Sequence, residues 1–448
     1  MSSLGQGAVI GLIAMVLFLT GMPIAFALAI TALVSILMFL GPGQFDLFGK
    51  MVFDSLNDFG LLAIPLFVLM GNLFGGSSAS RQLFEAGEAW LSRIRGGLAM
   101  SSVAASTMFA ALTGSSPATA AAIGRVAVPE MAVRGYSARI ATGAIAAGGT
   151  LGILIPPSVT LILYGIAAEQ SIGQLFAAGI VPGIVISVMF CIWVYIAQKL
   201  QDRRPARDLG WGGMEHGVPE PRRYGWADRF RALAKTLPFL ALVVAILAVL
   251  YRGIATPSEA AAIGVLLVFV LVAVVYRGIT GRQLMAALRE STNQSTMILL
   301  ITAFSAVVAT VLSYLRVPQD LAALVTDADL NKWLVLVLIN LILLVMGFFL
   351  PPVSIIVMTT PILLPMILSL GFDPIWFGII MTINMEMGLI TPPVGLNLYV
   401  LKGIAPQVPL KEILIGSMPY VAVLGVAIAL FAVFPDVVMF LPRLLYQQ

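Results

Sequence analysis

Apolar runs of about 20 residues, the length a helix needs to cross the hydrocarbon layer of a bilayer, recur from one end of this 448-residue chain to the other. No short motif constrains the fold as strongly. In lipid, every backbone N–H and C=O must be satisfied within the chain, which leaves only helices and closed barrels. These runs are about twice the length of a barrel strand, so the sequence predicts an all-α polytopic membrane protein. Ten complete crossings are expected, near residues 5–20, 24–41, 60–76, 139–167, 172–198, 236–251, 257–276, 294–315, 374–401 and 412–435. Two further apolar regions, 97–133 and 333–369, are too long for one span. Each is broken near its middle, at Gly114-Ser115-Ser116-Pro117 and at Leu350-Pro351-Pro352, and is read as a re-entrant hairpin.

Composition agrees and removes several activities. Only 10% of residues are charged, against about 25% in ordinary soluble domains, and a net charge of +4 gives no reason to expect nucleic acid. Cys191 and His216 are each the sole residue of their type, which excludes a Ser-His-Asp triad, a Cys-His pair and a clustered zinc site. The chain is expected not to be an enzyme and to carry no organic cofactor. No Lys or Arg precedes Lys50, so the first apolar run lacks the basic start of a signal peptide and is read as a retained span.

Charge also sets the expected orientation. With the loop 199–235 in the cytoplasm, the assigned path leaves only Lys50, Arg252, Arg316, Lys332 and Arg443 outside, with Arg125 inside a hairpin. This satisfies the positive-inside rule and places both termini in the periplasm. The loop itself, with Arg203, Arg204, Arg207, Arg222 and Arg223 among Gly and Pro, reads as a basic cytoplasmic linker.

The two halves repeat. Pro129 and Pro365, Gly152 and Gly388, and Pro156-Pro157 and Pro392-Pro393 each lie 236 residues apart. Tyr164 and Tyr399 follow the breaks, and Pro182 and Pro419 are read as helix-start prolines. The domains are therefore a first repeat at 1–198 (hairpin 97–133, broken helix 139–167), the linker 199–235, and a second repeat at 236–448 (hairpin 333–369, broken helix 374–401). Five crossings per half make the second copy inverted, and inverted repeats with discontinuous helices characterise secondary transporters.

Each Pro-Pro pair stops a helix and frees backbone carbonyls and amides in a low-dielectric slab. Carbonyls converging there suit a small hard cation, and the N-terminal ends of the half-helices suit an anion. Ser115, Ser116 and Thr119 put three hydroxyls at the first tip, flanking Pro117; Ser354, Thr359, Thr360, Thr391 and Asn397 are the polar candidates of the second half. Glu386 precedes the second break and is open to structural and coupling roles. Arg125 is expected to snorkel or to pair with Glu130, and Glu259, after Thr256-Pro257-Ser258, to cap a helix.

Several motifs together carry a resemblance: Ala63-Ile64-Pro65-Leu66-Phe67, Gly114-Ser115-Ser116 through Gly124, Gly135-Tyr136, Ile155-Pro156-Pro157-Ser158, Thr256-Pro257-Ser258-Glu259-Ala260 and Gly388-Leu389-Ile390-Thr391-Pro392-Pro393-Val394-Gly395-Leu396-Asn397. Over essentially its whole length the sequence resembles the large membrane subunit of the tripartite ATP-independent periplasmic transporters. The resemblance implies a sodium-driven elevator in the bacterial inner membrane, taking an organic anion from a periplasmic binding protein and working with a small four-helix membrane subunit. That subunit is expected to be a separate chain. Sodium is expected around Ser115, Ser116, Gly152 and Pro156 on one side and Gly347, Leu350, Gly388 and Thr391 on the other. The substrate is expected near Ser115, Ser116, Pro117, Thr119, Ser158, Ser354 and Asn397. Where the family commonly has an Asp at the second tip, this chain has Pro351, so a dicarboxylate preference does not transfer automatically. A stand-alone sodium- or proton-coupled carrier or antiporter is the main alternative; a channel, an intramembrane protease and a structural scaffold fit less well.

Overall fold

The computed structural model describes residues 1–202, 210–211, 224–276, 280–328 and 330–446. Among them the regular elements are all helical. The first half runs α1 (Ser3–Leu19), α2 (Ile24–Ser35), α3 (Asp46–Leu56), α4 (Ala63–Gly75), α5 (Ala79–Leu91), α6 (Gly97–Thr113), α7 (Ser116–Val133), α8 (Ala138–Thr150), α9 (Val159–Ala167) and α10 (Ile172–Gln201). The second runs α11 (Trp226–Tyr251), α12 (Pro257–Val270), α13 (Gly281–Tyr314), α14 (Val317–Asp327), α15 (Lys332–Gly347), α16 (Pro352–Ser369), α17 (Pro374–Leu389), α18 (Leu396–Ile404), α19 (Leu410–Val433) and α20 (Pro435–Tyr446). Short π-helical segments, Ile36–Leu40 and Leu271–Val275, prolong α2 and α12.

By length and apolarity, six helices of the described residues can each cross a membrane: α10, α11, α12 with its extension, α13, α16 and α19. A seventh span results if the pair Pro42–Leu56 and Phe59–Gly75, bent by 60°, is one unit. The remaining expected crossings are short apolar helices or pairs of half-helices. α16 meets the length criterion although it was expected as one arm of a hairpin.

Local chemistry explains the boundaries. Thr256 and Glu259 form the expected capping box: the Glu259 carboxylate accepts from the Thr256 amide at 2.8 Å, and the Glu259 amide donates to the Thr256 hydroxyl at 3.3 Å. Ser137, Ser158 and Ser171 cap α8, α9 and α10 one way only, each hydroxyl accepting from an amide three residues on. Because Ser171 starts α10, Pro182 lies inside that helix rather than at its start, and Pro419 lies inside α19. An interior proline is tolerated where neighbouring helices shield the freed carbonyl. Two crossings also begin earlier than expected, α11 at Trp226 within the expected linker and α13 at Gly281, because polar first turns precede their apolar bodies. Most of the linker, including Arg203, Arg204, Arg207, Arg222, Arg223 and His216, lies outside the described residues.

Two apolar cores form. A smaller one joins α1, α2 and α14 to the C-terminal part of α13 through Ile10, Leu28, Ile36, Val307, Val311 and Val317. The larger one holds both hairpins and both broken spans. Within it, hairpin arm α7 packs on α8 and on α18, and arm α16 packs on α17 and on α9. Each arm thus contacts the leading half-helix of its own half and the trailing half-helix of the other.

Candidate functional site

The site is built where the hairpin tips meet the helix breaks. In the first half, α6 ends at Gly114, whose φ of +55° is the left-handed region that favours glycine. A Cβ there would lie 3.1 Å from the Pro157 carbonyl oxygen. A Cβ on Gly152 would lie 2.8 Å from the Ser115 carbonyl oxygen and 3.1 Å from the Ser116 amide. The first tip therefore presses on the first break with backbone against backbone, and every residue from Leu151 to Thr160 is buried. In the second half, a Cβ on Gly388 would lie 2.8 Å from the Cα, C and O atoms of Gly347, so the end of α15 rests on the end of α17. The Pro156-Pro157 and Pro392-Pro393 bonds are both cis. The second break is more open than the first: Pro393 is exposed, and Thr391, Pro392 and Val394 are half-buried.

One side-chain contact joins the two halves at these elements. The Asn397 amide donates to the Ser116 hydroxyl at 2.8 Å and to the Ala146 carbonyl at 3.1 Å, and all of Ser116 and Asn397 is buried. Ser116 is the first residue of α7 and Asn397 the second of α18, so two helix N-termini, each the positive end of a helix dipole, meet here. Pro117 sits beside Ser116 in the first turn of α7, where its missing N–H costs nothing.

Other expected residues are engaged differently. The Thr119 hydroxyl is paired with Thr113 at 2.8 Å inside the first hairpin. The Ser158 hydroxyl donates to the Ile153 carbonyl at 2.5 Å and accepts from the Leu161 amide at 3.3 Å, so it spans the break and caps α9. Thr391 donates to the Met387 carbonyl at 2.5 Å. Pro156 is buried in the first break, and Leu350 is buried beneath the second tip, with its amide on the Met346 carbonyl at 2.9 Å. Pro351 is the N-cap of α16. Ser354, three residues further on, has a buried hydroxyl without a hydrogen-bond partner among the described residues. Arg125 is exposed on α7, and Glu130 pairs with Arg134 at 3.2 Å, so the expected Arg125–Glu130 pair is replaced by one a helical turn later.

Glu386 is fully buried in α17, and among the described residues neither carboxylate oxygen has a hydrogen-bond partner. Sequence reasoning missed several polar supports. Asn384 donates to the Asn340 carbonyl at 2.9 Å, tying α17 to α15, and the Ser417 hydroxyl donates to the Ile390 carbonyl at 3.2 Å, satisfying a group freed at the second break. The Tyr164 hydroxyl donates to the Pro374 carbonyl at 2.5 Å, linking α9 to the start of α17. An asparagine or tyrosine in an apolar helix was the available signal; its partner was not. Among the described residues no group of three His, Cys, Asp or Glu side chains could hold a metal ion. The donors offered are neutral oxygens, the Ser115 and Pro157 carbonyls and the Ser116 and Ser354 hydroxyls, and hard neutral oxygens fit sodium.

Comparison with known proteins gives this arrangement its context. The family model described as "Tripartite ATP-independent periplasmic transporter, DctM component" matches residues 11–437. The C4-dicarboxylate TRAP transporter large permease protein DctM of Pseudomonas aeruginosa is 36% identical over 417 residues, covering 93% of this chain and 94% of that protein. The sialic acid TRAP transporter large permease protein SiaM of Vibrio cholerae is 30% identical over 428 residues, covering 96% of each. In fold, the crystal structure of the Alcanivorax borkumensis YdaH transporter superposes with a TM-score of 0.60, covering 90% of this chain and 91% of that one at 15% identity. With the family model spanning nearly the whole chain, including both hairpins and both breaks, this protein belongs to the DctM family, the large membrane permease component of tripartite ATP-independent periplasmic transporters.

Proposed function

We propose that this permease imports an organic anion across the bacterial inner membrane, coupled to sodium, in concert with a periplasmic binding protein and a small membrane subunit. The observation that carries the reading is the buried Ser116–Asn397 contact, which holds the N-termini of α7 and α18 from opposite halves at one point. Helix N-termini attract anions, and the neutral oxygens around Gly152 and Gly388 are the groups that would hold sodium. A bound sodium supplies positive charge beside the anion, so each ligand tightens the other. The two halves are read as inverted repeats, with hairpins and broken helices moving as one elevator unit against a scaffold. The smaller core of α1, α2, α13 and α14, distinct from the larger core that holds the tips and the breaks, supports this division.

The class of substrate follows from the kinship and stays broad. Relatives are described as carrying C4-dicarboxylates, sialic acid, isethionate and ectoine. Shared by these is an acid group, which two helix N-termini can hold without an arginine.

A second reading, a proton-coupled carrier, is favoured by Glu386, a buried carboxyl with no partner. Thermal unfolding of the detergent-solubilised protein separates the two. Sodium chloride is expected to raise Tm saturably where matched KCl and choline chloride do not, by an amount corresponding to about 2.7 kcal/mol at a hundred times Kd. No sodium effect, together with a pH effect abolished by Glu386→Gln, would replace sodium with the proton.

A further inference from the structure

The C-terminal end of α5 and the N-terminal end of α11 form a feature that the transport reading does not use. Trp90, Trp226 and Phe230 pack on one another with ring centroids 6.1–6.5 Å apart. All three remain open to the surroundings, at 40%, 62% and 59% exposure. Leu233 and Leu237 continue the Trp226–Phe230 face along α11 and are also exposed, so an apolar stripe runs from the aromatic cluster down a helix long enough to cross the membrane. Tryptophan beside such a helix end marks the level of the lipid headgroups.

At the head of the stripe sits Arg229. It is only 6% exposed, its Nε donates to the Ala89 carbonyl at 3.1 Å, and its guanidinium lies 5.0 Å from the centre of the Trp226 ring. Among the described residues no carboxylate lies within ion-pair range of it. The acidic residues beside it in sequence or beside its carbonyl partner face other groups: Glu88 pairs with Arg134, and Asp228 accepts from the Gly225 amide at 3.1 Å and lies 4.0 Å from Arg231. Exposed Arg93 and Arg95 stand on the turn that leaves α5. A nearly buried guanidinium without a counter-charge, fixed by an aromatic face and a carbonyl, is an incomplete ion pair.

We propose that this corner is a binding site for an anionic phospholipid, whose phosphodiester pairs with Arg229 and Arg93 while an acyl chain lies along Trp226, Phe230, Leu233 and Leu237. The surrounding arginines place it in the leaflet expected to face the cytoplasm. The lipid would hold α11 against α5, the element that leads into the hairpin at Gly97 and packs on α6.

The test is lipid retention by native mass spectrometry, and Tm, of the full chain in detergent with added phosphatidylglycerol, phosphatidylcholine or inorganic phosphate. Phosphatidylglycerol is expected to be retained and to raise Tm saturably, with phosphatidylcholine and phosphate giving little. Arg93→Gln is expected to weaken retention about fivefold, the loss of one basic contact at a charged membrane surface. Trp226→Ala, at an exposed position, should reduce retention of the lipid without unfolding the protein. Equal retention of the two lipids, an equal effect of inorganic phosphate, or unchanged retention in both variants would overturn the proposal.

Discussion

Asn397 occupies a buried position that requires donor capacity in two directions, one N–H to Ser116 and one to Ala146. Removing either partner leaves a buried polar group unsatisfied, at a cost of about 1–3 kcal/mol. Ser116→Ala and Asn397→Ala are each expected to lower stability by that order and to weaken the sodium-dependent rise in Tm. Their coupling in a double-mutant cycle should be about 0.6–1.7 kcal/mol, the range for polar contacts between membrane helices; strictly additive effects on chemical unfolding would show that the pair does not act as one. At this scale the sequence was partly legible. An asparagine one turn past a helix break is conspicuous, and so are hydroxyls at a Gly-Ser-Ser-Pro tip. Which hydroxyls are free was not legible: Thr119 is tied to Thr113 and Ser158 to its own cap, because those partners lie across a turn whose geometry no spacing rule gives.

Elements were easier to read than contacts. Pro-Pro pairs stop helices by removing amides and clashing with the preceding turn, so the breaks after α8 and α17 follow from composition alone, as do the hairpins from their excess length. Amphipathic α3, α14 and α20 escaped because short half-polar helices lack the sustained apolarity that marks a span. Pro182 and Pro419 were misread as helix starts for a related reason: a proline marks a boundary only where no earlier cap exists, and Ser171 supplies one for α10. How closely the elements approach is a packing matter. Gly388→Ala is expected to destabilise by about 1–3 kcal/mol, since its Cβ would meet Gly347 backbone at 2.8 Å. Gly347→Ala, with its Cβ 3.3 Å from the Gly388 Cα, should cost less, and Gly11→Ala, inside α1 with nothing within 4 Å, should be slightly stabilising. Thermal unfolding of the three variants checks the order, and a neutral Gly388→Ala would remove the tight tip-to-break contact from the account.

For the whole molecule, the crosswise packing of α7 on α18 and α16 on α9 binds the halves into one unit, while a separate core gathers α1, α2, α13 and α14. If that unit is the moving part of a three-component system, uptake in proteoliposomes should require this chain, its small subunit and a loaded binding protein together, and should stop when the sodium gradient is collapsed. A C4-dicarboxylate, sialic acid and isethionate are the solutes to test in turn. Uptake by this chain alone would instead establish a stand-alone carrier.

Read alone, the residues specify the helical class, the two Pro-Pro breaks and the kinship, because membrane burial and proline chemistry act locally and leave a pattern in one dimension. The packing settles that Ser116 meets Asn397 across 281 positions of chain, that the Glu386 carboxyl has no hydrogen-bond partner among the described residues, and that among those residues Arg229 has no counter-charge. Those facts depend on distances between segments far apart in sequence, and no residue pattern encodes them separately from the packing that brings the segments together.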